Sequence, residues 1–335
     1  MNALFLLCSG NNFLNNIPVF LNRHPDGKYL FQKALEGLDV AGYDRIFVIM
    51  QEKAATKFNG YTIVSETLKG QLRDRLELTL LEKATNGPAA SICEALKKTG
   101  FEGAFAVRDC SNTISIPQSA KAALKGNFVG TLNISENWYI HDLKSKSFII
   151  RNEQNQILDI IEKTIKSEII SVGYYGFASS RDFMDAYSRL TDSVYSISML
   201  YVSHIVAYLI GRQNQVFGTV DVDFFEEWNN RFSWMKIQNE YSINLIFLDR
   251  FFTKDESGLY SFEDSMLQKF QHLKNKKCSS IFFTTYQFVD ADSVKKKLNE
   301  NGINVHDVIL INNSDPQFNI IRDGRDMVET LVRNN

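Results

Sequence analysis

Two carboxylates that close apolar runs are the first residues here with chemistry to offer. Asp109 follows Ala104-Phe105-Ala106-Val107-Arg108 and is itself followed by Cys110-Ser111-Asn112. Asp249 closes Asn244-Leu245-Ile246-Phe247-Leu248. A carboxylate at the end of a buried strand sits where α/β sheets place their ligands, and one or two such groups plus substrate phosphates hold magnesium. Two glycines stand at breaks in the pattern. Gly10 lies in Ser9-Gly10-Asn11-Asn12, after the apolar run Leu4–Leu7, and Gly87 lies in Thr85-Asn86-Gly87-Pro88-Ala89, before a helical pattern. Each serves a turn. Cys8, Cys93, Cys110 and Cys278 form no CxxC pair, and His24, His141, His204, His272 and His306 form no HxxxH pair. That excludes a zinc signature and fits a reducing compartment, here a cytoplasmic location.

These residues need a scaffold, and the chain is long enough for two. At about 100–200 residues per domain, 335 residues favour two domains. A net charge of -2 argues against a nucleic-acid binder, which carries a basic face. Leu4–Leu7, Arg45–Met50, Leu76–Leu81 and Ala104–Val107 read as buried strands. Tyr29–Leu38, Ala55–Phe58 and Ala89–Leu96 read as helices between them, and Tyr61–Val64 as a brief extended piece. Strand and helix alternate, which predicts a largely parallel sheet. Phe128–Ile134, Ser147–Arg151 and Ile169–Phe177 add strands, some antiparallel, and Asp182–Leu190 and Met199–Ile210 add helices. Ser193–Gly211 lacks formal charge over the length of a membrane span, but its serines, tyrosines and His204 predict a buried helix instead. No basic segment precedes the first apolar run, so no signal peptide is expected. A second α/β pattern begins at Asn244, which divides the chain into residues 1–240 and 241–335.

Seven segments in order carry a resemblance. They are Gly27-Lys28-Tyr29-Leu30, Tyr43–Val48, Thr85–Ser91, Val107–Asn112, Ile161-Glu162-Lys163, Gly173-Tyr174-Tyr175-Gly176-Phe177, and Glu227-Trp228-Asn229-Asn230 with Trp234. Together they resemble the sugar nucleotidyltransferases over roughly residues 1–235. The resemblance implies a Rossmann-like, GT-A-like mixed sheet. It also implies transfer of a nucleotidyl group from a nucleoside triphosphate to a sugar phosphate or small phosphorylated alcohol, releasing pyrophosphate, by analogy in surface-polysaccharide synthesis. It assigns Asp109 and Glu227 to Mg2+, Lys163 and Arg23 to the phosphates, and Ser9, Gly10, Asn11, Thr85, Asn86, Gly87, Ala89, Ser111, Asn112 and Gly173 to the nucleotide and acceptor. An oligomer is compatible with it.

The departures from the family are specific. The first loop keeps one glycine and no arginine, although backbone amides and a guanidinium are what grip a triphosphate. Phe20 stands at the expected lysine, with Arg23 nearby, and Ser111 stands at the expected second carboxylate. A catalytically degenerate relative that binds a nucleotide or sugar phosphate, or supports a partner, is therefore an alternative. A metal-dependent glycosyltransferase is another. The smaller C-terminal α/β unit resembles haloacid dehalogenase-like domains, with Asp249 as nucleophile, Thr284 or Thr285 as phosphate-binding hydroxyl and Asp323 as metal-binding acid. Phe251 replaces the proton-donating acid, and a phenyl ring cannot protonate a leaving group, so the resemblance implies a non-hydrolytic domain.

Overall fold

The computed structural model describes residues 2–330, apart from 11–12, 15–16, 25, 124–125, 137–141, 194–198, 241, 248–251, 255–259, 263–278, 285–295, 297–298, 301–306 and 312–327. The chain divides into two compact units. One comprises Met1–Phe13, Pro18–Phe20 and Phe31–Asn229, and the other Leu14–Ile17, Leu21–Leu30 and Asn230–Asn335.

The first unit is built on a nine-stranded mixed sheet. Its centre is β1 (Asn2–Cys8), flanked in parallel by β2 (Arg45–Gln51) and by β4 (Ala104–Asp109). Beyond β2 lies β3 (Leu76–Leu81), also parallel. Ala3, Leu4, Phe5 and Leu6 are all fully buried, as a central parallel strand covered on both faces requires. On the other side the direction reverses. Strand β9 (Ile169–Phe177) runs antiparallel to β4, pairing Tyr174 with Arg108 and Tyr175 with Val107. It carries β7 (Ser147–Arg151) and then β8 (Ile157–Glu162), and it also pairs with β6 (Phe128–Asn133), which pairs in parallel with β10 (Gly218–Asp221). A separate antiparallel pair joins β5 (Asn112–Ser115) to β11 (Phe224–Glu227).

Helices α1 (Gly60–Leu72), α2 (Pro88–Thr99), α3 (Ser180–Thr191) and α4 (Val202–Gln213) belong to this unit. The extended piece predicted at Tyr61–Val64 is instead the first turns of α1. Its β-branched run reads locally as a strand, but Val64, Leu68 and Leu72 are buried at a spacing of four, and that tertiary gain overrides the local propensity. Among the described residues no helix is long and apolar enough to cross a membrane. In α4, Val202, Ile205, Val206 and Leu209 are buried one helical face deep in the core. That core is rich in phenylalanine. Phe5 stacks on Phe47 at 4.6 Å between ring centroids, and Phe105 stacks on Phe177 at 5.2 Å.

The second unit contains a four-stranded parallel sheet. Strand β12 (Ser242–Phe247) lies between β13 (Ser279–Thr284) and β15 (Val328–Thr330), and β14 (Asp307–Ile311) adds to β13. Asp249, Thr285 and Asp323 lie outside the described residues, and Thr284 is the last residue of β13.

One charged side chain is wholly inside the first unit. Arg108 has no solvent exposure and donates to the carbonyl oxygens of Ala34, Val172 and Asn112 and to Asn112 Oδ1, at 2.6–3.1 Å. Burial pulls its pKa down to about 10, and the neighbouring Asp109 opposes the shift, so it stays charged at neutral pH. Replacing it strands these acceptors in a dry interior. Arg108→Met is expected to lower the unfolding free energy by about 3–5 kcal/mol, read by urea denaturation. An unchanged midpoint and slope would contradict this reading.

Candidate functional site

The carboxyl ends of β1 and β4 open into a cleft of about 390 Å³. Ser9 and Gly10 leave β1 there, and Asp109, Ser111 and Asn112 leave β4 there. Arg108 ties this second loop down through Asn112, and Asp109 Oδ1 accepts the Ser111 N–H at 2.9 Å. Trp228 is fully buried beneath the same loop. Its indole N–H donates to the Cys110 carbonyl at 2.9 Å, and its backbone N–H donates to that of Ser111.

Two glycines let backbone approach closely. Gly173 has φ +73°, and a Cβ there would lie 2.8 Å from Asp109 Cβ. Gly87 has φ +103°, caps α2 ahead of Pro88, and a Cβ there would lie 2.6 Å from the Leu200 carbonyl oxygen. The start of α2 thus faces the cleft with Gly87, Pro88 and Ser91.

Hydroxyls dominate the lining. Ser91 Oγ lies 3.0 Å from Ser9 Oγ and 2.5 Å from Thr85 Oγ1. Across the cleft, Glu162 Oε2 accepts the Ser147 and Ser203 hydroxyls at 2.5 and 2.6 Å. Tyr175 also faces the cleft, and burial pushes its phenol well above the usual tyrosine range. Among the described residues, the charged side chains lining the cleft are Asp109, Glu162 and Lys146.

Eight of the residues singled out from sequence line this cleft: Ser9, Gly10, Thr85, Gly87, Asp109, Ser111, Asn112 and Gly173. Asn86 and Ala89 do not. Ala89 is in the hydrophobic core, and its N–H donates to the Leu200 carbonyl. Asn11 lies outside the described residues. Arg23 belongs to the second unit, where it donates to the Gly27 carbonyl and the Tyr29 hydroxyl and covers the Tyr29 ring. Lys163 donates to the hydroxyl of Tyr201, a lining residue, from a left-handed backbone at φ +56°. Phe20, at the position where a lysine was expected, is buried.

Lys146 and Glu162 complete the site. Glu162 is visible as the partner of Lys163 in the sequence, but Lys146 carries no sequence signal. It lies in Lys144-Ser145-Lys146, just ahead of the strand predicted at Ser147–Arg151. Its ammonium is paired with Glu227, and both side chains are buried. This bears on magnesium. Glu227 is committed to an ammonium, position 111 is a hydroxyl, and among the described residues no three acids, cysteines or histidines cluster to hold a metal. The carboxylate pair that the resemblance assigns to magnesium is therefore broken, because Glu227 is held by Lys146.

No protein-family model matches the chain, and no curated protein matches it. Solved structures do. The nucleoside-diphosphate-sugar pyrophosphorylase of Vibrio cholerae RC9 is 15% identical, with a TM-score of 0.57 over 71% of this chain and 99% of that one. A UDP-glucose pyrophosphorylase complexed with UDP-glucose is 14% identical, with a TM-score of 0.55 over 71% and 97%. The inositol-1-phosphate CTP transferase of T. maritima is 17% identical, with a TM-score of 0.53 over 69% and 90%. The chain shares the mixed α/β fold of these nucleotidyltransferases.

A histidine sits in the first turn of the helix that follows Tyr201, a lining residue. His204, in the first turn of α4, accepts the Tyr201 N–H on Nδ1 at 3.2 Å, which a protonated ring cannot do. Burial pushes its pKa down, Glu162 opposing and Lys163 assisting. With the folded pKa below the unfolded value of about 6.5, the unfolded chain binds more protons between them. Stability is expected to be full above about pH 6.5 and to fall as the pH drops through the folded pKa. Unfolding midpoints from pH 8 to about pH 5 are expected to show this fall in wild type and less of it in His204→Gln. Parallel profiles would contradict it.

Proposed function

We propose that the first unit binds a nucleoside triphosphate in this cleft and transfers its nucleotidyl group to a phosphorylated sugar or small alcohol. The observation that carries the reading is the location: hydroxyls, carboxylates and a lysine converge where parallel strands end and helix α2 begins. A helix N-terminus favours negative charge, which suits a phosphate chain there. Gly87 leaves room for backbone approach, and Thr85 and Ser91 offer hydroxyls beside it. Asp109 keeps Oδ1 on the Ser111 N–H and offers Oδ2 to a ligand hydroxyl. Glu162, oriented by two serines, faces the acceptor side.

In the reaction, an acceptor phosphate oxygen attacks the α-phosphorus. A new P–O bond forms as the bond to the bridging oxygen breaks, and pyrophosphate leaves with the electron pair. The protein's part is to hold the two reactants in line and to balance the charge on the phosphoryl oxygens. Fold likeness favours this class of chemistry, and the named side chains supply the specific argument.

One observation favours a binding-only relative. Phe20 is a core residue at the position where the resemblance expects a cation, and the loop after β1 has no arginine.

A thermal-shift screen of ATP, CTP, GTP, UTP and dTTP, followed by a pyrophosphate-release assay with sugar 1-phosphates, separates the two. The expected result is that one nucleotide raises the melting midpoint through preferential binding to the native state, at ~100 Kd by about 2.7 kcal/mol of stability. Asp109→Ala is expected to remove the shift and pyrophosphate release. A shift without pyrophosphate release from any acceptor would support the binding-only relative, and no shift with any nucleotide would contradict the transferase reading and leave a sugar-phosphate-binding or partner-supporting relative.

A further inference from the structure

We infer that Lys146 is the built-in cation of this cleft and that it holds a phosphoryl group of the ligand there without a divalent metal ion. The inference rests on the reading of the cleft as a nucleoside-phosphate site.

Lys146 and Glu227 are 9% and 7% exposed at their side chains and form an ion pair. Removing two charges from water is costly, and the pair offsets that cost only when the remaining donors and lone pairs are also satisfied. Here they are not. An ammonium carries three donors, and among the described residues Glu227 is the acceptor for one. On the other partner, Oε1 of Glu227 is buried without a hydrogen bond. Lys146 lines the cleft and Glu227 does not, and the ion pair anchors the ammonium to a residue outside the lining. The Phe225 ring, 5.6 Å from Nζ, gives the ammonium an apolar neighbour where its field is poorly screened.

The surroundings fix what completes the pair. The ammonium can only donate, so its partner must be an acceptor, and an anionic one is held best. Among the described residues, no lining side chain takes that place: Asp109 accepts the Ser111 N–H and Glu162 two serine hydroxyls, and neither bonds the ammonium. A phosphoryl oxygen supplies both the acceptor and the negative charge. Position 111, a serine, gives no second acid for a metal, and Glu227 is already neutralised. An ammonium therefore stands beside the carboxylate that the sequence resemblance assigns to magnesium. The backbone supports this placement. The Lys163 N–H donates to the Lys146 carbonyl at 2.9 Å, which locks Lys146 to the strand end that carries Glu162.

Isothermal titration of the full chain with ATP, CTP, GTP, UTP and dTTP, each in EDTA and in magnesium, tests this. Lys146→Met alone leaves Glu227 buried and unpaired, which threatens folding. The double variant Lys146→Met/Glu227→Gln removes both charges and keeps the packing. Wild type is expected to bind one nucleotide in EDTA within about threefold of its affinity in magnesium, and the folded double variant to lose about tenfold or more in EDTA. Wild-type binding that requires magnesium would overturn the inference and leave the nucleoside-phosphate reading standing. Undiminished binding by the double variant would also overturn it. Wild type that binds no nucleotide in either medium would overturn both.

Discussion

A guanidinium without solvent exposure lies one residue before the carboxylate that faces the cleft, and most of the site is hung from it. Arg108 reaches the carbonyls of Ala34, Val172 and Asn112 from the centre of the sheet. Those contacts join the helix Leu30–Leu35, which carries Ala34, to β9 beside Gly173 and to the start of β5 at Asn112. In each case a buried donor meets a backbone carbonyl. With Asn112 held, Ser111 is positioned to donate to Asp109, and the Trp228 indole closes on the Cys110 carbonyl. A charged residue spent inside the fold thus determines the geometry of an uncharged loop and the direction of one carboxylate.

The cleft that results is rich in hydroxyls and poor in cations. Among the described residues its negative groups are partnered, Asp109 by a backbone N–H and Glu162 by two serines, and its lysine is paired with Glu227. This differs from a site in which bare carboxylates converge on a metal. It suits a ligand read through its hydroxyls, with charge handled at the wall near Lys146 and at the start of α2. The left-handed backbone at Lys163 and the histidine bond that starts α4 shape the wall of the cleft at Tyr201.

How much of this is legible in the sequence follows from how local each signal is. The strands around Asp109 and the turn at Gly87 are marked by apolar runs and by a Gly-Pro step, and the cleft residues attached to them are found from those marks. The first strand of the second unit is equally marked, and β12 lies on the apolar run that begins at Asn244. Helix α1 is misread because Tyr61–Val64 is β-branched locally, while its helical face appears only when Leu68 and Leu72 are counted with it. Lys146 is illegible for a deeper reason. Its partner is 81 residues away, so nothing near it distinguishes a buried cation from a solvated one. Arg108 hides in the same way, since its acceptors lie 74 and 64 residues away as well as nearby.

The central claim is that one cleft in the first unit takes the nucleotide. Amide hydrogen exchange of the full chain, with and without each of the five nucleoside triphosphates, measures this most directly. The account predicts that one nucleotide slows exchange at residues 9–10, 85–91, 109–112 and 145–147, the segments that line the cleft. Protection confined to other segments, or no protection with any of the five, would contradict it.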